Sequence, residues 1–263
     1  MPNQVHLIGY GCGHCAGNPG CAGGPSRLKS SNILSNSCLQ TRWHDFIDIG
    51  DVTHPNEILT TVTRANQALA RTVAHLVDNN QAFATIGGGH SSGIGTWSGA
   101  ASAQTEKGDI GLIWVDAHMD AHTFETSPSK NIHGMPIAAL LGHGSPELTH
   151  IGSSYAKIKP EHLCLVGIRD YEPGEEALLE SLNVRVIKIE EVHKRGTHDC
   201  MQEAFDIVNQ APGGFGLSID LDCFDPSHAP AVGTPVSNGL DVEAFCHSLS
   251  GMPNEDLLGI EIA

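Results

Sequence analysis

Residues 113–122 read IWVDAHMDAH, an apolar run closed by Asp116, His118 and Asp120 at alternate positions. In an extended chain, side chains at i, i+2 and i+4 share one face, so this spacing projects ligands into one small volume. A second run, FGLSIDLDCFDP at 215–226, ends in the same manner on Asp220 and Asp222. Carboxylates crowded this closely repel unless protons or cations neutralise them. Taken singly, an Asp-x-Asp is commonly a helix cap and an Asp-x-His a solvated turn. Here the two clusters are joined by His90 in the Gly-rich turn TIGGGHSSGIGT (85–96), giving six oxygen or nitrogen ligands from three strand ends. That combination points to divalent metal ions. Oxygen and imidazole ligation favours manganese over softer ions, with zinc, cobalt and iron compatible.

The same runs fix the fold class. Apolar, β-branched stretches recur from Val5, Phe46, Ala82, Ile110, His162, Val184, Phe215 and Leu257. Their near-continuous hydrophobicity suits strands buried on both faces. Helix-like segments lie between most of them, at 57–80, 91–106, 174–183, 198–210 and 242–251. This α/β alternation predicts a three-layer, doubly wound, mostly parallel sheet of about eight strands, with ligands bound beyond the carboxyl ends. The 263 residues suffice for one domain of this kind. Residues 11–31 and 123–131 are the most loop-like.

A formal charge of −16 argues against nucleic acid and favours a cationic ligand. The sequence shows no apolar stretch of membrane-spanning length and no basic leader at its start, so no membrane partner and a cytoplasmic location are expected. Of eight cysteines, Cys12, Cys15 and Cys21 cluster in GYGCGHCAGNPGCAGGPS (9–26). These three admit a redox pair, a zinc knot with His14, or no role beyond a flexible Gly-rich loop. The other five read as small core residues.

In order, GGGHS (87–91), VDAHMDAH (115–122), KNIHGMP (130–136), SIDLDCFDPSHAPAVGTP (218–235) and GIEIA (259–263) resemble the ureohydrolase superfamily of guanidino and formimino hydrolases. The resemblance covers nearly the whole chain. GGPSRLKSS (23–31) is similar to the family's Gly-Pro-x-x-Leu segment, and LVGIRDYEPGEEALLESLNVRVI (165–187) resembles the arginases in particular. An arginase-like fold is implied, with two manganese ions per chain. His90, Asp116, Asp120 and Asp220 would hold one ion, and Asp116, His118, Asp220 and Asp222 the other. The implied reaction converts L-arginine to L-ornithine and urea by attack of a metal-bridging hydroxide on the guanidinium carbon. Asp120 would carry the nucleophile's proton to the leaving amine, His133 would shuttle protons, and Glu261 would pair with the guanidinium. Ser129, His122, Asp170, Glu172 and Glu175 fall where arginases hold the amino-acid end of the substrate. The expected partner is a small cationic guanidino compound, and the family's habit implies a homotrimer or hexamer.

Three departures bear on that picture. Gly89 stands where the family usually has Asp, removing a carboxylate beside His90. His122 replaces the asparagine that arginases commonly carry near the substrate carboxylate. The chain stops at Ala263, so residues 1–263 are expected to form one ureohydrolase domain without the family's C-terminal helix. Two other enzyme readings are hydrolysis of agmatine or of a guanidino acid. A catalytically weak metal-binding scaffold is the non-enzymatic alternative. A deacetylase-like zinc site is excluded, because it needs an adjacent His-His pair and no HH occurs.

Overall fold

Residues 110–115, IGLIWV, are buried at every position, as a strand must be when helices cover both faces of its sheet. The computed structural model describes residues 4–16, 19–50, 52, 54–252 and 255–263. Its strands are β1 (Val5–Gly11), β2 (Thr41–Asp48), β3 (Phe83–Gly87), β4 (Ile110–Val115), β5 (Ile158–Ile168), β6 (Arg185–Lys188), β7 (Phe215–Ile219) and β8 (Leu257–Ile262). They form one parallel sheet in the order β2-β1-β3-β8-β7-β4-β5-β6. The predicted doubly wound sheet is therefore present. The last two strands enter between β3 and β4, so chain segments far apart in sequence deliver their carboxyl ends side by side.

The helices are α1 (Gly24–Ser30), α2 (Ile58–Asp78), α3 (Ser92–Ala103), α4 (Pro136–Leu140), α5 (Pro146–Thr149), α6 (Pro173–Ser181), α7 (Ile189–Arg195), α8 (Thr197–Val208) and α9 (Val242–Leu249). Alternate residues of β4 face two cores. Leu112 and Trp114 join Val62, Leu69 and Trp97 from α2 and α3. Ile113 and Val115 join Met201, Phe205 and Val208 of α8 and Phe245 of α9. Close approach of α2 to α3 requires a missing side chain at Gly99, where a Cβ would lie 2.4 Å from the Ala70 carbonyl oxygen.

Several local expectations shift. The run from Val184 is not one strand: it turns helical at Ile189, where Glu190 and Glu191 occupy the first turn of α7 and His193, Lys194 and Arg195 the last. That charge order complements the helix dipole and outweighs the β-branched pattern. The loop-like stretch 11–31 contains α1, opened by Pro25 in its first turn. The run expected from Phe46 is displaced towards the N-terminus, since β2 ends at Asp48; Asp51 within it lies outside the described residues. Of the five cysteines read as core, Cys164, Cys200 and Cys223 are buried, whereas Cys38 and Cys246 are exposed.

Candidate active site

Three strand ends converge on one acidic centre. His90 follows β3, Asp116 follows β4 and Asp220 follows β7. The Nδ1 atom of His90 lies 3.0 Å from Asp116 Oδ2, 3.2 Å from Asp120 Oδ2 and 3.3 Å from Asp220 Oδ2. A ring nitrogen carries at most one proton and cannot satisfy three carboxylates. On the other side, His118 Nδ1 lies 3.4 Å from Asp116 Oδ1 and 3.2 Å from Asp222 Oδ2. The two oxygens of Asp116 thus face two different groups. His90 with Asp116 and Asp220, and His118 with Asp116 and Asp222, each bring ligand atoms within 4.8 Å of one another. This donor set fits two hard divalent cations sharing a carboxylate. Asp220 Oδ1 accepts the Asp222 backbone N–H at 3.0 Å, and its Oδ2 is turned towards His90.

Burial and crowding leave the carboxylates electrostatically frustrated. Burial, reinforced by Asp116, pushes the Asp120 carboxyl up to about 8. Burial, then Asp220 and Asp116, pushes Asp222 up to about 8 as well. Burial also opposes charge on His118, but its bonds to Asp116 and Asp222 prevail and drive the imidazole up to about 12. For Asp116 burial acts upwards, while His118 and His90 hold it far below the carboxylate range. Asp120 further adopts a left-handed backbone, φ 49°, held by a 2.9 Å bond from Ile137 N to its carbonyl. A strained non-glycine residue of this kind marks a position the fold over-determines.

A row of residues beneath the centre positions His90. In register across the sheet, Thr85, Glu261, Ser218 and Trp114 are neighbours on β3, β8, β7 and β4. Trp114 stacks on His90 with ring centroids 3.8 Å apart and donates its indole N–H to Asp116 Oδ2 at 2.9 Å. The Ser218 hydroxyl donates to Glu261 at 2.8 Å and sits 2.9 Å from His90 Nε2. Glu261 also accepts from Trp97 Nε1 at 3.0 Å and from the Ser92 hydroxyl. Its side chain is wholly buried and surrounded by these donors. This overturns the expected guanidinium contact, because no surface of Glu261 is open to a ligand. The resemblance placed the residue at the site; the alternation of β8 turns it beneath His90.

The remaining predicted residues line two clefts that meet at His133. One, of about 340 Å³, is bounded by Cys21, Gly88, His90, His133, Asp220 and Thr234. The other, of about 240 Å³, is bounded by His118, Asp120, His122, Ser129, His133, Asp170, Glu172 and Glu175. Burial holds the His133 imidazole below its ordinary value, so it is neutral near pH 7. Ser129, Asp170 and Glu172 are exposed at the mouth. Glu175 is not: it is buried, its Oε1 accepts from Ala121 N at 3.1 Å and its Oε2 from Glu172 N at 3.0 Å. That use as a helix-end acceptor leaves it no free edge for direct contact with a substrate. His122 is likewise engaged, with Nε2 2.7 Å from Glu172 Oε2 and Nδ1 3.0 Å from Thr126 Oγ1.

The Gly89 departure has a packing cause. A Cβ there would lie 2.9 Å from Cys15 Sγ and 3.2 Å from the Cys12 carbonyl. The cysteine-rich loop fills the space an aspartate would need. Among the described residues, the groups able to hold a metal contain no thiol, so the zinc-knot option gains no support. Thr234 was not legible as a site residue, and Arg169, beyond the carboxyl end of β5, has a part that the sequence did not assign it. Thr234 donates to Asp222 Oδ2 at 2.8 Å. Arg169 donates to the carbonyls of Asp222, Cys223, Val236 and Ser237, fastening the loop that carries Asp222. Trp114 and Ser218 did have a signal: each stands two residues before a ligand, on the same strand face.

Paired Asp–His groups at the carboxyl ends of a parallel sheet put the chain among the ureohydrolases, enzymes that act on guanidino substrates. More narrowly, it belongs to the arginase family, whose model matches residues 3–263. The arginase of Bacillus caldovelox is 39% identical over 82% of this chain and 75% of its own length. That of Brevibacillus brevis is 34% identical over 98% of this chain and 88% of its own. The native B. caldovelox arginase structure at pH 5.6 superposes with a TM-score of 0.91 at 34% identity, covering 100% of this chain and 90% of that one. An Entamoeba histolytica arginase in complex with L-ornithine gives 0.88 at 28% identity, covering 100% and 91%.

Proposed function

We propose that the protein hydrolyses L-arginine to L-ornithine and urea with two manganese ions resident between His90, Asp116, His118, Asp120, Asp220 and Asp222. The observation that carries this reading is Asp116, whose two oxygens face two separate imidazole–carboxylate groups. When bound, a pair of divalent cations supplies the field that acidifies water towards neutral pH. Asp120, 3.2 Å from His90 Nδ1 and on the border of the smaller cleft, is placed to accept a proton once its carboxylate is ionised and return it to the leaving amine. His133, neutral and facing both clefts, is suited to relay protons to solvent. The exposed carboxylates of Asp170 and Glu172 and the hydroxyl of Ser129 stand at the mouth, where they suit the ammonium and carboxylate of an amino acid. A homotrimer or hexamer is part of the same proposal, and light scattering of the purified protein tests it.

The decisive experiment measures urea release from arginine, agmatine and 4-guanidinobutyrate by manganese-loaded protein, alongside metal content. Two manganese ions per chain and a preference for arginine are expected. Asp116→Ala should lose both ions, whereas His90→Ala should lose one. A single bound zinc in the manganese-loaded protein would reject the two-ion reading. One observation favours a guanidino acid as second substrate class: the internal bond between His122 and Glu172, which occupies an acceptor that an α-ammonium would otherwise meet.

A further inference from the structure

The smaller cleft is acidic at its rim, yet its acceptors are unequally available. Asp170 is largely exposed, with Oδ2 3.6 Å from His118 Nε2. Glu172 is half exposed, but its Oε2 accepts from His122 Nε2 at 2.7 Å. The same nitrogen lies 3.3 Å from Glu175 Oε2, which is already committed to the backbone at Glu172. The ring is held at both of its nitrogens. Its Nδ1 meets the Thr126 hydroxyl at 3.0 Å, and that hydroxyl in turn accepts from Thr123 N at 3.0 Å. Since a carboxylate only accepts, Nε2 is the donor here, standing between two carboxylates where a substrate ammonium would donate.

We propose that His122 is a specificity-determining residue: its imidazole occupies one acceptor of the ammonium-binding edge, so the cleft reads the carboxylate of an amino-acid substrate more strongly than its α-ammonium. The inference rests on the proposed arginine reaction for the location of the amino-acid end. The shorter asparagine that arginases commonly carry at this place would not span the same two carboxylates. Losing a ligand ammonium costs less when one of its acceptors is already engaged, as Glu172 Oε2 is, and more once that acceptor is freed and left unpaired.

Binding separates this inference from catalysis. Manganese-loaded protein is titrated calorimetrically with L-ornithine and with 5-aminopentanoate, which is ornithine without its α-ammonium. The native protein should bind the two within about fivefold of each other. In His122→Asn the ratio should move roughly five- to a hundredfold towards ornithine. Thr126→Val, which removes the anchor of the ring together with the acceptor for Thr123 N, should fall between them. The ratio of kcat/KM for arginine over 5-guanidinopentanoate, which is arginine without its α-ammonium, should shift in the same direction. A native protein that already strongly prefers ornithine, a ratio unmoved in His122→Asn, or no binding of either compound overturns the assignment. If the binding ratio shifts while no preparation releases urea, the assignment of His122 stands and the proposed reaction fails.

Discussion

At the scale of single residues, burial decides between roles that composition leaves equal. Glu172 caps α6 and Glu261 lies near the end of β8, but one is half exposed at a cleft and the other is sealed under a histidine. Removing the Glu261 carboxylate leaves the donors of Ser92, Trp97 and Ser218 without their acceptor. Glu261→Ala should therefore cost about 2 to 4 kcal/mol in denaturant unfolding, from unsatisfied donors and a cavity together. Manganese should also bind more weakly, because Ser218 no longer holds His90 in place. Unchanged stability with a raised KM would restore the guanidinium contact. His133 gives the contrasting case, a side chain at the junction of both clefts and outside the ligand groups. His133→Asn should lower kcat by roughly a hundredfold while metal content stays the same. Full activity in that variant would remove the proton relay.

At the scale of elements, legibility followed the strength of periodic signals. Strands β4 and β7 and their ligands were readable because alternation in a buried run fixes which residues share a face. The short helices α1, α4 and α5 were not, since seven, five and four residues are too few for a helical period to emerge. Helix α7 was hidden by the continuous apolar run preceding it. The groups that could hold a metal were legible in the spacing and their supports less so: Thr234 and Arg169 act through loop geometry, which spacing along the chain does not encode. The loop after β3 illustrates this. Gly89 reads from sequence as a loss, yet the structure shows the cysteine-rich loop packed against it. Gly89→Asp should destabilise by about 1 to 3 kcal/mol through overpacking. Cys15→Ala in the same chain should recover part of that, giving a coupling above about 0.5 kcal/mol in a double-mutant cycle. Additive effects would mean that residue 89 and the cysteine-rich loop do not compete for space.

At the scale of the whole molecule, the strand order brings together the candidate ligands from residues 90 to 222 and concentrates in one place part of the negative charge of a protein at −16. The cost of that concentration depends on pH with a definite sign. Asp120 and Asp222 sit at about 8 in the folded chain, against about 3.9 for an ordinary aspartate. Between those values the metal-free folded state binds more protons than the unfolded one, so its stability falls as pH rises. His118, pushed up to about 12, acts in the same direction from about 6.5 upwards. Asp116 is held low and acts oppositely, but only in acid below about 4, outside this window. Cations bind the deprotonated forms, so manganese must displace these protons, and its affinity increases as pH removes them. Thermal unfolding of chelator-stripped and manganese-loaded protein should therefore diverge with pH. The gain in Tm on loading should be larger near pH 9 than near pH 6, and calorimetry near pH 7 should show protons released on binding. An equal gain at both pH values would mean that the carboxylates are already ionised before metal arrives, their crowding relieved by solvent or by movement of the loop that carries Asp222.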